Sequence, residues 1–346
     1  MKTDIKTLIL MLTVVFASCS DKDCIELPDP NTQQSSCDKG LLIIGSALDN
    51  TNMNAEFSLD SISKPITSPL TISTVRTDVQ QSFFNVTTRP SNYDAYDAVT
   101  DTYFIEFPLE QRCYLYDVSA ASRQEFIVAG FYAAPVFHNS TLYALEVDFN
   151  NFGYATDPAV FEIETINQSD GSTTAIASGT FPLLSRFDWE SMSSAIDGNG
   201  NLYFVSGTNL VSFNTQTLAT NHTELVPTFD SVDNNQQFIG LEYRNNGNLL
   251  AIRNRNDALI NSLDLVEIDL SNPTNPTVLY DFTANSINLN IEFYSTTYDP
   301  CDDSYYITNI DAVTNTSTFY EIDLSTNQIT TESVPVYTMG IATKNN

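Results

Sequence analysis

"FYEIDLSTNQI" (319–329) and "LVEIDLSNPTNP" (265–276) are two copies of one phrase: apolar and polar residues alternate, then run into an acid followed by hydroxyls and amides. Alternation with a period of two marks a half-buried strand, and an Asp followed by Ser makes a turn through its side-chain oxygen. Further copies are "EFSLDS" from Glu56, "YLYDVSA" from Tyr114, "FEIETIN" from Phe161 and "LVSFNTQT" from Leu210. The polar marker falls at Asp60, Asp117, Glu164, Asn214, Asp269 and Asp323, at intervals of 57, 47, 50, 55 and 54 residues. A recurrence near 50 residues means that one supersecondary unit is repeated along the chain.

Working outward from the marker, a second β-rich segment precedes each copy: "LLIIGSA" (41–47), "TYFIEF" (102–107), "LYALEV" (142–147), "LYFVSG" (202–207), "LLAIRN" (249–254) and "YYITNI" (305–310). Turn chemistry such as "DGNGN" (197–201) and "RNNGN" (244–248) leads into these strands. A third strand lies before that turn, in "PSNYDAYD" (90–97), "FYAAPVFH" (131–138), "WESMSSAID" (189–197), "QFIGLEYRN" (237–245), "EFYSTTYD" (292–299) and "YTMGIATK" (337–344). The middles of these strands are small: Ala133 and Ala134, Ser193 and Ser194, Gly240, Ser295 and Thr296, Gly340. Small residues are expected where innermost strands crowd around an axis. No long stretch carries the helical period of 3.6.

Six units of about 50 residues and four strands resemble a β-propeller. The expectation is an all-β, six-bladed ring over residues 39–346, with seven blades as the alternative. The propeller segment opens on a second strand, "LLIIGSA", and "YTMGIATK" reads as an innermost strand with no blade after it. Pairing the two completes the first blade and closes the ring, which removes the exposed edges. It also sets Cys113 and Cys301 on opposite faces, so no bridge between them is expected. The "YD…LY…YEIDLST" pattern is similar to that of many propellers, among them the surface-layer (YVTN) type and six-bladed calcium-dependent lactonase-like groups. The second group implies calcium as a cofactor, held by Glu, Asn and Asp at the channel mouth, and a hydrolase as the alternative function. The residues do not match that family's full ligand set.

The N-terminus gives an address. Lys2 and Lys6 precede the short apolar run "LILMLTVVF", then Ala17 and Ser18. That order is the order of an export signal, and the run is short of the ~20 residues needed to span a bilayer. "FASC" resembles the lipobox of bacterial lipoproteins, with Phe16 where Leu is commoner. The resemblance implies cleavage after residue 18 and lipidation of Cys19. "SDKD" behind it is similar to the surface-export signal of Bacteroidota lipoproteins. The expectation is a signal peptide at 1–18, a tether at 19–38, and an outer-membrane lipoprotein displayed at the cell surface.

Without residues 1–18 the chain keeps 12 basic and 42 acidic residues, a net charge of −30. Such a chain lacks the clustered Lys and Arg that hold phosphates, so nucleic acid is excluded as a partner, and membrane contact falls to the lipid anchor alone. Cys24 and Cys37 bracket a Pro- and Ser-rich linker and could close a small loop. His138 and His222 are the only histidines, which argues against a His-rich metal centre.

Propellers bind ligands at the mouth of the central channel. Aligned on the turns, Glu190, Gln237, Glu292 and Tyr337 take equivalent positions at the starts of innermost strands, with the single tryptophan, Trp189, beside Glu190. An aromatic among carboxylates and an amide suits a glycan or a cation, and Glu190 and Glu292 are the metal-ligand candidates. No GxSxG or phosphate-binding Gly-rich loop is present. "DGNGN" and "YDPCDD" (298–303) read as turns rather than metal loops. "DSI" and "DSV" mark Ser61 and Ser231 as O-glycosylation acceptors of the Bacteroidota type. The resulting expectation is a binding or scaffolding module for a protein or glycan partner.

Overall fold

The computed structural model describes residues 39–49, 54–80, 93–107, 111–130, 132–147, 159–181, 192–226, 235–256, 261–291, 294–311 and 316–344. These residues form strands and turns and no helix. Six four-stranded antiparallel sheets follow, each given from its innermost strand outward. Blade 1 is β24 (Tyr337–Thr343), β1 (Leu41–Asp49), β2 (Asn54–Ile62) and β3 (Ile72–Gln80). Blade 2 is β4 (Asp94–Asp97), β5 (Thr102–Phe107), β6 (Arg112–Asp117) and β7 (Ser122–Ile127). Blade 3 is β8 (Tyr132–His138), β9 (Thr141–Val147), β10 (Ala159–Ile166) and β11 (Thr173–Phe181). Blade 4 is β12 (Ser193–Ile196), β13 (Asn201–Ser206), β14 (Asn209–Asn214) and β15 (Thr220–Glu224). Blade 5 is β16 (Asn235–Tyr243), β17 (Leu249–Asn256), β18 (Asn261–Ile268) and β19 (Thr277–Asp281). Blade 6 is β20 (Tyr294–Asp299), β21 (Ser304–Asp311), β22 (Thr316–Asp323) and β23 (Gln328–Val334).

The innermost strands pack in a closed ring, β24 on β4, β8, β12, β16, β20 and back to β24. The chain is therefore a six-bladed β-propeller. Closure is made as the sequence predicts, by β24 on β1, with Leu41 opposite Thr343 and Ile44 opposite Gly340.

Each of six apolar clusters fills the space between two neighbouring blades, which is why the second strands read as near-continuous apolar runs. Seven tyrosines are among the largest fully buried side chains. The fourth strands are the exposed ones: β7 and β15 each bury at most one side chain. Small hydroxyl residues in the innermost strands have a definite task. An innermost strand is a sheet edge, and its inward N–H groups need partners. Ser193 accepts from the Leu241 N–H at 3.0 Å, Ser295 from Ile341 at 3.1 Å and Thr297 from Thr343 at 3.1 Å, each across a blade boundary.

Four of the six turn markers behave as the sequence predicts. Asp117, Asn214, Asp269 and Asp323 accept backbone N–H groups of the turn that follows, and the Asp323 contact to Ser325 is 2.8 Å. Glu164 does not. It lies inside β10, opposite Ala144, and Asn167 caps the turn by accepting from Ser169 at 3.0 Å. Asp60 is also inside its strand, opposite a bulge in β3 at Val75. Cys113 is a free, fully buried thiol and Cys301 is disulfide-bonded, so the two do not pair, as the ring geometry predicts. Cys19, Cys24 and Cys37 lie outside the described residues.

Candidate functional site: the central channel

All six innermost strands wall a central cavity of 540 Å³, within the range of small-molecule sites. It opens on the face that carries the hairpin turns between first and second strands, at residues such as Val99, Asn139, Gly198 and Pro300. The acids at that rim are committed to their own turns. Asp97 accepts from the Val99 N–H at 3.0 Å and the Thr100 hydroxyl at 2.6 Å. Asp197 accepts from the Asn199 and Asn201 N–H groups, both at 2.8 Å. The "DGNGN" and "YDPCDD" loops are thus turns; in the latter Asp303 accepts from Arg244 and Tyr298.

Two other carboxyls lie deeper. Asp94 on β4 and Glu242 on β16 both line the cavity, from blades on opposite sides of the ring. A backbone bulge helps to place Glu242. The β16–β17 ladder skips between Ile239 and Glu242, where Gly240 adopts a φ of +62°. The β8–β9 ladder skips similarly around Ala134, with φ +52°. A bulge re-aims the residues that follow it. Gly240 is required at its place: a Cβ there would sit 2.6 Å from the Tyr305 hydroxyl and 2.8 Å from Thr296 Cγ2.

The Tyr103 hydroxyl donates to Asp94 Oδ2, and Ser295 Oγ donates to Asp94 Oδ1 at 3.4 Å. Thr296 Oγ1 donates to Glu242 Oε1 at 3.4 Å. The adjacent hydroxyls of β20 therefore serve one carboxyl each. Burial raises the Asp94 pKa to about 7 against the opposing hydrogen bonds from Tyr103 and Ser295. Burial and then the Asp94 charge raise that of Glu242 well above the carboxylate range, against the Thr296 hydroxyl. Both side chains keep partial exposure to the cavity, but protein encloses the cavity laterally, and that desolvation dominates. Both groups therefore hold a proton more readily than an ordinary carboxyl, and a carboxylic acid can donate as well as accept. Among the described residues lining the cavity there is no Lys or Arg.

The sequence placed its site at the opposite ends of the innermost strands. Trp189, Glu190 and Glu292 lie outside the described residues, as does Ser231. Gln237 is half-buried on β16 opposite Asn254. Tyr337 is fully buried in the core between blades 1 and 2. The structure thus sets Gln237 and Tyr337 on different blades. Ser61 is half-buried on β2, paired with Leu42 and Ser73. Asp94 and Glu242 went unread, although both stand in the quoted innermost strands. Their signal was a carboxyl beside small or apolar residues within a quoted innermost segment, Asp94 before Ala95 and Glu242 after Leu241.

No family model matches the chain, and no curated protein matches it in sequence. Solved structures do match in fold. A candidate 6-phosphogluconolactonase from Bacteroides uniformis superposes with a TM-score of 0.52 at 8% identity, over 88% of this chain and 99% of that one. A candidate 6-phosphogluconolactonase from Bacteroides fragilis gives 0.49 at 11%, over 90% and 99%. The calcium-binding protein regucalcin from Agrobacterium tumefaciens gives 0.44 at 13%, over 72% and 76%. At these identities the likeness is one of fold: a six-bladed propeller with lactonase-like structural neighbours.

Proposed function

We propose that this chain is a lipid-anchored, surface-displayed binding module whose working site is the central channel, and that the channel takes a neutral sugar, as the end of a glycan. The observation that carries the reading is the cavity lining: two protonatable carboxyls and several hydroxyls, with no Lys or Arg among the described lining residues. Sugar hydroxyls each donate and accept, and carboxyls with raised pKa values beside serine and threonine hydroxyls offer both kinds of partner. A phosphorylated sugar lactone is a poor fit, because its phosphate needs a cationic partner.

Isothermal titration of the purified chain with neutral monosaccharides, and with 6-phosphogluconate as the anionic control, tests this. Binding of a neutral sugar that weakens at least tenfold in Asp94→Asn or Glu242→Gln supports it. Binding of 6-phosphogluconate, or sugar binding indifferent to both substitutions, overturns it. No binding at all also overturns it and leaves display of loops to a protein partner.

A second reading, a calcium-dependent hydrolase, draws on the Asp94–Glu242 pair, whose four carboxyl oxygens are of the type calcium prefers. Melting the chain with EDTA and then with millimolar calcium separates the two, since a ligand at 100 times its dissociation constant stabilises by about 2.7 kcal/mol. For the anchor, labelled palmitate incorporated into the chain and absent from Cys19→Ala supports lipidation. Protease shaving of whole cells then reads the surface location.

A further inference from the structure

Blades 2 and 3 meet at an otherwise apolar interface that includes Phe104, Cys113, Tyr132, Leu142, Ala144 and Ile166. Strand alternation carries four glutamates onto the same facing surfaces. Glu106 follows Phe104 on β5 and pairs with Cys113. Glu146 follows Leu142 and Ala144 on β9, and Glu162 and Glu164 precede Ile166 on β10. Glu162 stands directly opposite Glu146 in the ladder.

Glu146, Glu162 and Glu164 each bring one carboxyl oxygen within 4.8 Å of the others. Glu164 is 6% exposed, and its Oε2 is buried with no hydrogen-bond partner. Glu106 is 2% exposed, and neither of its carboxyl oxygens has a partner of good geometry. Its carboxyl lies against the backbone N–H of Tyr132, the residue paired with Glu146. Space is left for these groups: a Cβ on Gly130 would fall 2.5 Å from Glu146 Oε1 and 2.9 Å from the Tyr132 hydroxyl. Burying the Glu106 carboxyl oxygens and Glu164 Oε2 without hydrogen-bond partners is costly, and a nearby cation offsets that cost.

We propose that a divalent cation of the calcium class binds on Glu146, Glu162 and Glu164 of blade 3, on the face turned towards blade 2. Three oxygens no more than 4.8 Å apart fit within a circle of radius about 2.8 Å, close to the 2.3–2.6 Å reach of calcium. The donors are carboxyl oxygens, which suit a hard cation rather than zinc or copper. Magnesium asks for a tighter octahedron and keeps its waters, which an apolar interface does not supply. The Cys113 thiol takes no part: burial first, and then the Glu106 charge, hold it in its protonated form. The ion would tie β9 to β10 within blade 3, and its ligands do not line the central channel.

Terbium, which replaces calcium and emits when a nearby tyrosine is excited, tests the site through Tyr132. The full chain in detergent, stripped with EDTA, is titrated with terbium and then with excess calcium. The expected result is tyrosine-sensitised emission that calcium displaces. It falls more than tenfold in Glu162→Gln/Glu164→Gln, and also in Tyr132→Phe, while Tyr132→Phe leaves calcium stoichiometry in calorimetry unchanged. Asp94→Asn/Glu242→Gln keeps the emission. If the double variant does not fold, Glu146→Gln, altering a half-buried residue, is read instead and must weaken calcium binding at least tenfold. Absence of emission, emission indifferent to the glutamate substitutions, or loss of calcium binding in the channel variant overturns the proposal.

Discussion

Asp94 and Glu242 line the central channel from opposite blades, 2 and 5, and the charge of Asp94 adds to burial in raising the Glu242 pKa. Both groups have folded-state pKa values raised above the ordinary carboxylate range, that of Asp94 to about 7. The folded state therefore binds more protons than the unfolded one between about pH 4 and pH 7, and stability falls as pH rises through that window. Asp94→Asn removes its share of this loss. The difference in melting temperature between the variant and the parent should grow in the variant's favour by a few degrees from pH 4 to pH 7, then level off. A difference that stays flat with pH would show that these carboxyls are not desolvated.

Gly240→Ala should be among the most damaging single-methyl changes in the ring. Its φ of +62° disfavours any side chain, and the added Cβ meets the Tyr305 hydroxyl, which donates to the Gly240 carbonyl. Strain of this kind costs about 1–3 kcal/mol. Gly198→Ala is the control, since nothing lies within 4 Å of a Cβ there and its φ is ordinary. Denaturant unfolding should separate the two variants by more than 1 kcal/mol, an amount readily resolved against typical slopes.

The repeat and its markers made the fold legible because every blade must solve the same two problems. Its second and third strands must bury both faces, giving apolar runs, and its turns must satisfy backbone groups, giving Asp and Asn. Outermost strands such as β7 (Ser122–Ile127) solve neither problem and carry no clear pattern, so only the repeat length implied them. Glu164 was misread for an instructive reason. It stands three residues before Asn167, and "EIETIN" offers an acid at the wrong phase of the strand; the amide that makes the turn was the true marker. Glu242 was missed because the alignment fixed attention on strand starts, whereas a bulge near Gly240 decides which later residue faces the axis. A bulge leaves no mark in an alternation count beyond a glycine.

Lys64 ties the turn after β2 to blade 6. Its ammonium pairs with Asp299, and with Asp302 at 2.7 Å, and stands 5.3 Å from the Tyr306 ring centroid. The side chains of Lys64 and Asp299 are 4% and 0% exposed. Lys64→Met would strand the Asp299 charge in the protein interior, and losses from breaking such pairs run to about 3–5 kcal/mol. Asp299→Asn placed on top of it should recover a good part of the loss, because the uncompensated charge is gone. Chemical unfolding of the parent, both single variants and the double variant reads the cycle. Two losses that simply add would mean the pair is not coupled.

Closure through β24 (Tyr337–Thr343) should be required for a cooperative fold. All seven of its residues are buried, and Tyr337, Met339 and Ala342 pack in the core between blades 1 and 2. Ile341 sits in the core between blades 6 and 1, so one strand serves two interfaces. Removing residues 337–346 opens the β1 edge and empties both cores of side chains worth about 1.5–3 kcal/mol each for the larger ones. That total is of the order of a domain's whole stability. The truncated chain should melt without a sharp transition and associate through the exposed β1 edge, as light scattering would record. A peptide of residues 335–346 added in trans should restore part of the transition, since the ladder from Leu41–Thr343 to Ser46–Tyr337 then has its partner again. A truncated chain that melts as sharply as the parent would show that the other five blades hold the ring without it.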